Sequence, residues 1–186
     1  MLTINYALSL GYRHVVLFGL SGGGWSTTIA AAVDPRIHLS IPIAGSVPKF
    51  PTELYPKMVP DLPEVLADFE QSDARPLYEH CAHVCMYALA ALEPRRAQVQ
   101  LLHDRDPCCY SAEHLHAEIK EYNAFIRELP GIQGWFQTAV TAGNIHQVNY
   151  RDRVVVAWLV ERMRADGGID TEFLKGLPFD LLRATA

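Results

Sequence analysis

The chain has 186 residues, of which 49% are hydrophobic, and carries a formal net charge of −5. That fits one soluble globular domain with a substantial core. It excludes the basic surface that nucleic-acid binding requires, and no apolar run is long enough to cross a bilayer, so neither nucleic acid nor membrane is an expected partner. The N-terminus, Met1 to Tyr6, lacks the basic-then-apolar pattern of a secretory signal. Four cysteines are too few for a disulfide scaffold in a chain of this size, so free thiols and a cytoplasmic location are expected.

In chain order, Asn5 to Leu10 reads as the tail of a helix stopped by Gly11. His14 to Gly19 reads as a strand, and Gly22 to Val33 as a helix ending at Asp34-Pro35. Ile37 to Ala44 carries one histidine and no acidic or basic residue, as suits a strand buried on both faces, and it runs into the loop Gly45-Ser46-Val47-Pro48. From Lys49 to Pro76 the prolines at 51, 56, 60 and 63 break the pattern, with one short helix expected at Asp61 to Gln71. Residues 49–76 read as an insertion covering the site. A helix follows at Leu77 to Leu92, a strand at Gln98 to Leu102, and an amphipathic helix at Ser111 to Leu129 with Ser111 as its cap. Trp135 to Ala142 is a fourth strand, Asn149 to Arg164 a helix stopped by Gly167-Gly168, and Thr171 to Leu182 a last short helix. Strand and helix alternate, which predicts an α/β fold: a short, mostly parallel sheet flanked by helices on both faces, in a single domain over residues 1–186.

The most informative stretch is Gly19-Leu20-Ser21-Gly22-Gly23, a Gly-x-Ser-x-Gly between the first strand and its helix. Glycines let strand and helix approach closely, and the tight turn lifts the serine hydroxyl above the sheet. The Gly22 N–H then faces an oxyanion from the helix N-terminus. A glycine-rich phosphate loop is the competing reading, but the Walker lysine is missing and no Gly-x-Gly-x-x-Gly register fits. A serine hydroxyl needs a base and an acid that orients the base. His146 follows the fourth strand and suits the base; Asp106 follows the third and suits the acid, ahead of its neighbour Asp104 because Pro107 fixes the turn behind it. Ligands in parallel sheets gather at the carboxyl ends of the strands, so Leu20, Trp25, Ser46 and Val47 are the candidates for lining a substrate pocket.

The order Ser21, Asp106, His146, together with the elbow and the phrases Asp34-Pro35-Arg36-Ile37 and Ile43-Ala44-Gly45, resembles the C-terminal half of an α/β-hydrolase of the esterase or peptidase kind, from about Asn5 to Arg164. The resemblance implies a truncated α/β-hydrolase fold. It also implies a serine hydrolase of carboxylesterase type that forms an acyl-enzyme on Ser21 from a small ester-type substrate, with no metal and no organic cofactor. Members of that family carry strands ahead of the elbow and a loop that supplies a second oxyanion donor; in this sequence the elbow comes one helix after the start. The strand at His14 to Phe18 is therefore expected as an apolar edge that pairs with a second copy, giving a homodimer. The alternative is a non-catalytic hydrolase scaffold that serves for oligomerisation or binding.

Among the remaining residues, His80, Cys81, His83 and Cys85 imitate a metal set, but one helix cannot turn all four to a single ion. Buried thiols beside surface histidines are expected there. Cys108 and Cys109 are expected to lie behind the acid loop. His14, His38, His103, His114 and His116 are assigned to strand flanks or helix surfaces, with no role.

Overall fold

Every position of the strand Leu39–Ile43 is buried, so it needs strands on both sides and cover on both faces. A computed structural model, describing residues 2–46, 77, 80–81, 83–108, 111–112, 116–165, 167–176 and 180–181, supplies both. The elements are α1 (Leu2–Ser9), β1 (Val16–Leu20), α2 (Gly22–Val33), β2 (Leu39–Ile43), α3 (His83–Ala90), β3 (Ala97–His103), α4 (His116–Glu128), β4 (Trp135–Thr141), α5 (Tyr150–Ala165), α6 (Thr171–Lys175) and β5 (Asp180–Leu181). The strands form one sheet in the order β1-β2-β3-β4-β5, and every neighbouring pair is parallel. The protein is of the α/β class.

The two-residue period of the strands divides the core. Leu39, Ile41, Ile43, Val99, Leu101 and Ala139 form one face, covered by Val155, Leu159 and Met163 of α5 and Leu174 of α6. On the other face Phe136 stacks on Tyr87 of α3, with ring centroids 4.9 Å apart, and Tyr122 and Ile126 of α4 join them. β1 is the outer strand at one side of this sheet. Its residues are only partly buried, and Phe18 is 54% exposed.

Several expectations change. The last helix ends at Lys175 and is followed by the short strand β5, so Thr171 to Leu182 is not one helix. Ser111 does not cap a helix that begins beside it; α4 begins at His116, and the Ser111 hydroxyl donates to the Asp104 carbonyl at 2.8 Å. Cys81 and Cys85 are not free thiols but a disulfide with Cα atoms 5.2 Å apart, Cys108 is also disulfide-bonded, and no described cysteine is free. Free thiols were the ground for expecting a cytoplasmic chain, whereas disulfides persist in oxidising compartments. His83 is buried rather than on the surface. The expected covering insertion at 49–76, Val47, Cys109 and His114 lie outside the described residues. No described helix is long and apolar enough to cross a membrane.

Arg96 ties the end of the sheet opposite the elbow. It is buried, and its guanidinium donates to the carbonyls of Ile37, Leu89, Ala31 and Asp34, so it closes the C-terminus of α2 onto α3 and the start of β2. Burial pushes its pKa below the ordinary arginine value. Arg96→Met removes one donor from each of four carbonyls, of which Asp34 and Leu89 keep a backbone amide. The expected result is a loss of roughly 3 kcal/mol of stability with an unchanged fold, read by urea denaturation.

Candidate active site

The site starts from a backbone constraint. A Cβ on Gly19 would lie 2.5 Å from the Gly23 oxygen, one on Gly24 2.8 Å from the Ile43 oxygen, and one on Gly45 2.4 Å from the Gly24 carbonyl carbon. Only glycine permits the crossing of α2 over the ends of β1 and β2. Ser21 stands at the turn with φ 55° and ψ −124°, a strained conformation for a residue with a side chain. Its N–H donates to the Ile43 carbonyl at 2.9 Å, and its carbonyl accepts from Trp25 at 2.9 Å. Its hydroxyl makes no capping bond to the helix. The first-turn amides of α2, Gly22 among them, have no partner within the helix and point toward the turn.

The acid and the base meet. Asp106 Oδ2 accepts from His146 Nδ1 at 2.8 Å, although the two residues leave different strands. The Asp106 carboxylate is fully buried, and its Oδ1 accepts from the Cys108 N–H at 2.8 Å, closing a turn around Pro107. A buried carboxylate held by two donors orients the ring. With Nδ1 donating, His146 Nε2 carries the lone pair, the tautomer of a general base. That nitrogen is buried and has no hydrogen-bond partner, so no bond joins it to Ser21 Oγ. Bonds of this kind often close only when substrate is bound.

Asp104 has a different task. Its Oδ1 accepts from the Gly143 N–H at 2.8 Å, which holds the loop after β4 against the loop after β3. The choice of Asp106 over Asp104 as the partner of His146 therefore agrees with the geometry. Of the expected pocket residues, Leu20 fills a gap between two core clusters. Trp25 is partly exposed on the first turn of α2. Ser46 is buried, and its hydroxyl bonds Tyr87 Oη and Gln100 Nε2, so it faces inward. Gln100 also donates to the Ser46 carbonyl at 2.6 Å and accepts from Thr138 Oγ1 at 2.8 Å, which stiffens the floor under the elbow.

His103 and Asp152 were missed by the sequence reading. His103 was placed on a strand flank, yet its side chain has no exposed surface. Its Nε2 lies 2.9 Å from Asp152 Oδ2, and its Nδ1 lies 3.1 Å from the carbonyl of Ile145, the residue before His146. Asp152 also accepts from Thr141 Oγ1 and the Asn149 N–H, each at 2.9 Å. Asn149 Oδ1 returns a bond to the Asp152 N–H at 3.0 Å, so the pair closes a capping box on α5. The alternation along β3, which puts position 103 on the same face as Leu101, was the available signal. His14 and His38, by contrast, meet edge-on beside β1 and β2, where His38 Nδ1 accepts from the Val15 N–H at 3.3 Å.

No group of three or more His, Cys, Asp or Glu able to hold a metal occurs among the described residues. Compared with known proteins, the chain matches no family model, no curated protein and no solved structure.

The two aspartates separate in a mutation test. Asp106→Asn, with its amide oxygen kept on the Cys108 N–H, turns an NH2 donor toward His146 Nδ1, and nitrogen-15 spectra of the histidine ring are expected to show the Nδ1–H lost. Asp104→Asn keeps an acceptor for the Gly143 N–H and is expected to leave the His146 Nδ1–H signal in place.

Proposed function

We propose that the chain is a serine hydrolase of the α/β-hydrolase kind that cleaves an ester or related acyl bond of a small molecule. The observation that supports this most is the 2.8 Å bond from His146 Nδ1 to a buried Asp106, which leaves Nε2 unpaired on the strand edge that also bears the strained Ser21. In the reaction His146 Nε2 takes the proton of Ser21 Oγ as the oxygen attacks the acyl carbon. The oxyanion faces the Gly22 N–H at the head of α2. His146 then gives its proton to the leaving alcohol, and an acyl group remains on Ser21. Water, deprotonated by His146, attacks that ester; the bond from the acyl carbon to Ser21 Oγ breaks, His146 returns the proton to Oγ, and the acid leaves. Asp106 stays ionised throughout and stabilises the imidazolium. No step calls for a metal or an organic cofactor.

The missing Ser21–His146 bond favours a second reading, a non-catalytic scaffold that binds or oligomerises. Self-association belongs to both readings. Among the described residues β1 is the outer strand of the sheet, beside exposed Phe18, Tyr6 and Tyr12, and a second copy pairing there gives a homodimer.

A fluorophosphonate probe separates the readings without knowledge of the substrate. The expected result is labelling at Ser21, absent in Ser21→Ala and His146→Ala. Folded protein that does not label points to the scaffold. For the dimer, native mass is expected to show two copies, and Phe18→Asp a single one; a monomeric parent chain at high concentration refutes the pairing.

A further inference from the structure

We infer that His103 is a positioning residue: clamped as an imidazolium between Asp152 and the Ile145 carbonyl, it fixes the loop whose next residue is His146 and so holds His146 Nδ1 on Asp106. For its kinetic arm this rests on the hydrolase reading; its structural arm does not.

The charge follows from counting donors. A neutral imidazole has one N–H and one lone pair. Both neighbours of His103 accept: a carbonyl on Nδ1 and a carboxylate on Nε2. The same carboxylate also accepts from the Thr141 hydroxyl and the Asn149 amide. A neutral ring would turn a lone pair on one of the two acceptors, in a place with no exposed side-chain surface. The protonated ring satisfies both, and the pair is neutral as a whole. Burial alone pushes the proton off. The Asp152 carboxylate, through its bond and its charge, the charge of Asp106 and the Ile145 carbonyl outweigh it, and the His103 pKa stands above its ordinary value.

The charged groups near the ring are few. α5 contributes Asp152, the loop after β3 contributes Asp104, Arg105 and Asp106, and the loop after β4 contributes His146; β4 contributes Thr141, which does not titrate. The stability that His103 supplies is complete below the ordinary histidine value of about 6.5 and is lost as pH rises through its raised folded value. The tether on Ile145 loosens over the same span. Activity then declines as His103 loses its proton.

Two substitutions divide the clamp. In His103→Asn the amide nitrogen takes the place of Nδ1 and keeps the bond to Ile145. In His103→Gln it takes the place of Nε2 and keeps only the bond to Asp152. Both are made in the full chain. Fluorophosphonate labelling of Ser21 is followed from about pH 6 to about pH 10, and the His146 Nδ1–H is followed by nitrogen-15 spectra of the histidine rings. The parent is expected to show His103 protonated on both nitrogens at neutral pH, with an alkaline decline in labelling. His103→Asn is expected to label within about threefold of the parent, to keep the His146 signal and to lose the decline. His103→Gln is expected to lose about tenfold or more in labelling together with that signal. Equal behaviour of the two variants, once matched for stability in urea, overturns the inference. Should neither variant fold, the parent spectra decide: a His146 Nδ1–H resonance unmoved while His103 gives up its proton overturns it, and one that shifts with it supports it. Parent protein that never labels, with spectra as expected, refutes the hydrolase reading and leaves the clamp standing.

Discussion

No side chain fits where α2 crosses the ends of β1 and β2. Gly19, Gly24 and Gly45 meet backbone there at distances that exclude a Cβ. This contact fixes the height of Ser21 above the sheet and forces its φ to 55°. It also brings the amino end of a helix dipole beside the serine. The strain at Ser21 persists because neighbours over-determine it: the Ile43 carbonyl holds its amide, and the helix takes its carbonyl. The loops that carry Asp106 and His146 leave the same edge of the sheet as the serine, because the strands are parallel.

The sheet beneath is unusual in its central strand. β3 is fully buried yet carries Gln98 and Gln100 among its interior positions. Gln100 links Thr138 of β4 to Ser46 at the end of β2. Buried amides of this kind cost stability unless satisfied, but they also specify register, since a slipped strand would leave them unpaired. The polar chain therefore defines how the strand ends line up, and with it the relative placement of the loops that carry Asp106 and Ser21.

Much of this organisation was legible. Short apolar runs closed by glycine or proline marked β1 to β4, and the Gly-x-Ser-x-Gly spacing marked the turn, because these signals are local. Asp106 and His146 were found from their place after a strand, a topological rule that holds when the strands are parallel. The features that escaped depend on distant partners. His103 looks like any polar residue ending a strand, and its counterpart Asp152 lies on another element, beyond the loop after β4. The tail went wrong because a helical start at Thr171 gave no hint that Asp180 and Leu181 add to the sheet edge beside β4. Cys81 lies ahead of α3 and Cys85 within it; a spacing of four suggests two thiols packed on one helix face, whereas the bond joins a helical cysteine to one outside the helix.

The carboxylate of Asp152 serves two structures at once. It closes the first turn of α5 through Asn149, and it grips His103. Fraying of that turn and release of the loop before His146 are therefore one event rather than two. In the language of local unfolding, the head of α5, the end of β3 and the loop between Thr141 and Asn149 form a single cooperative unit. Amide protons in all three then share one opening free energy, and the edge of the sheet that bears the histidine cannot breathe without melting a helix.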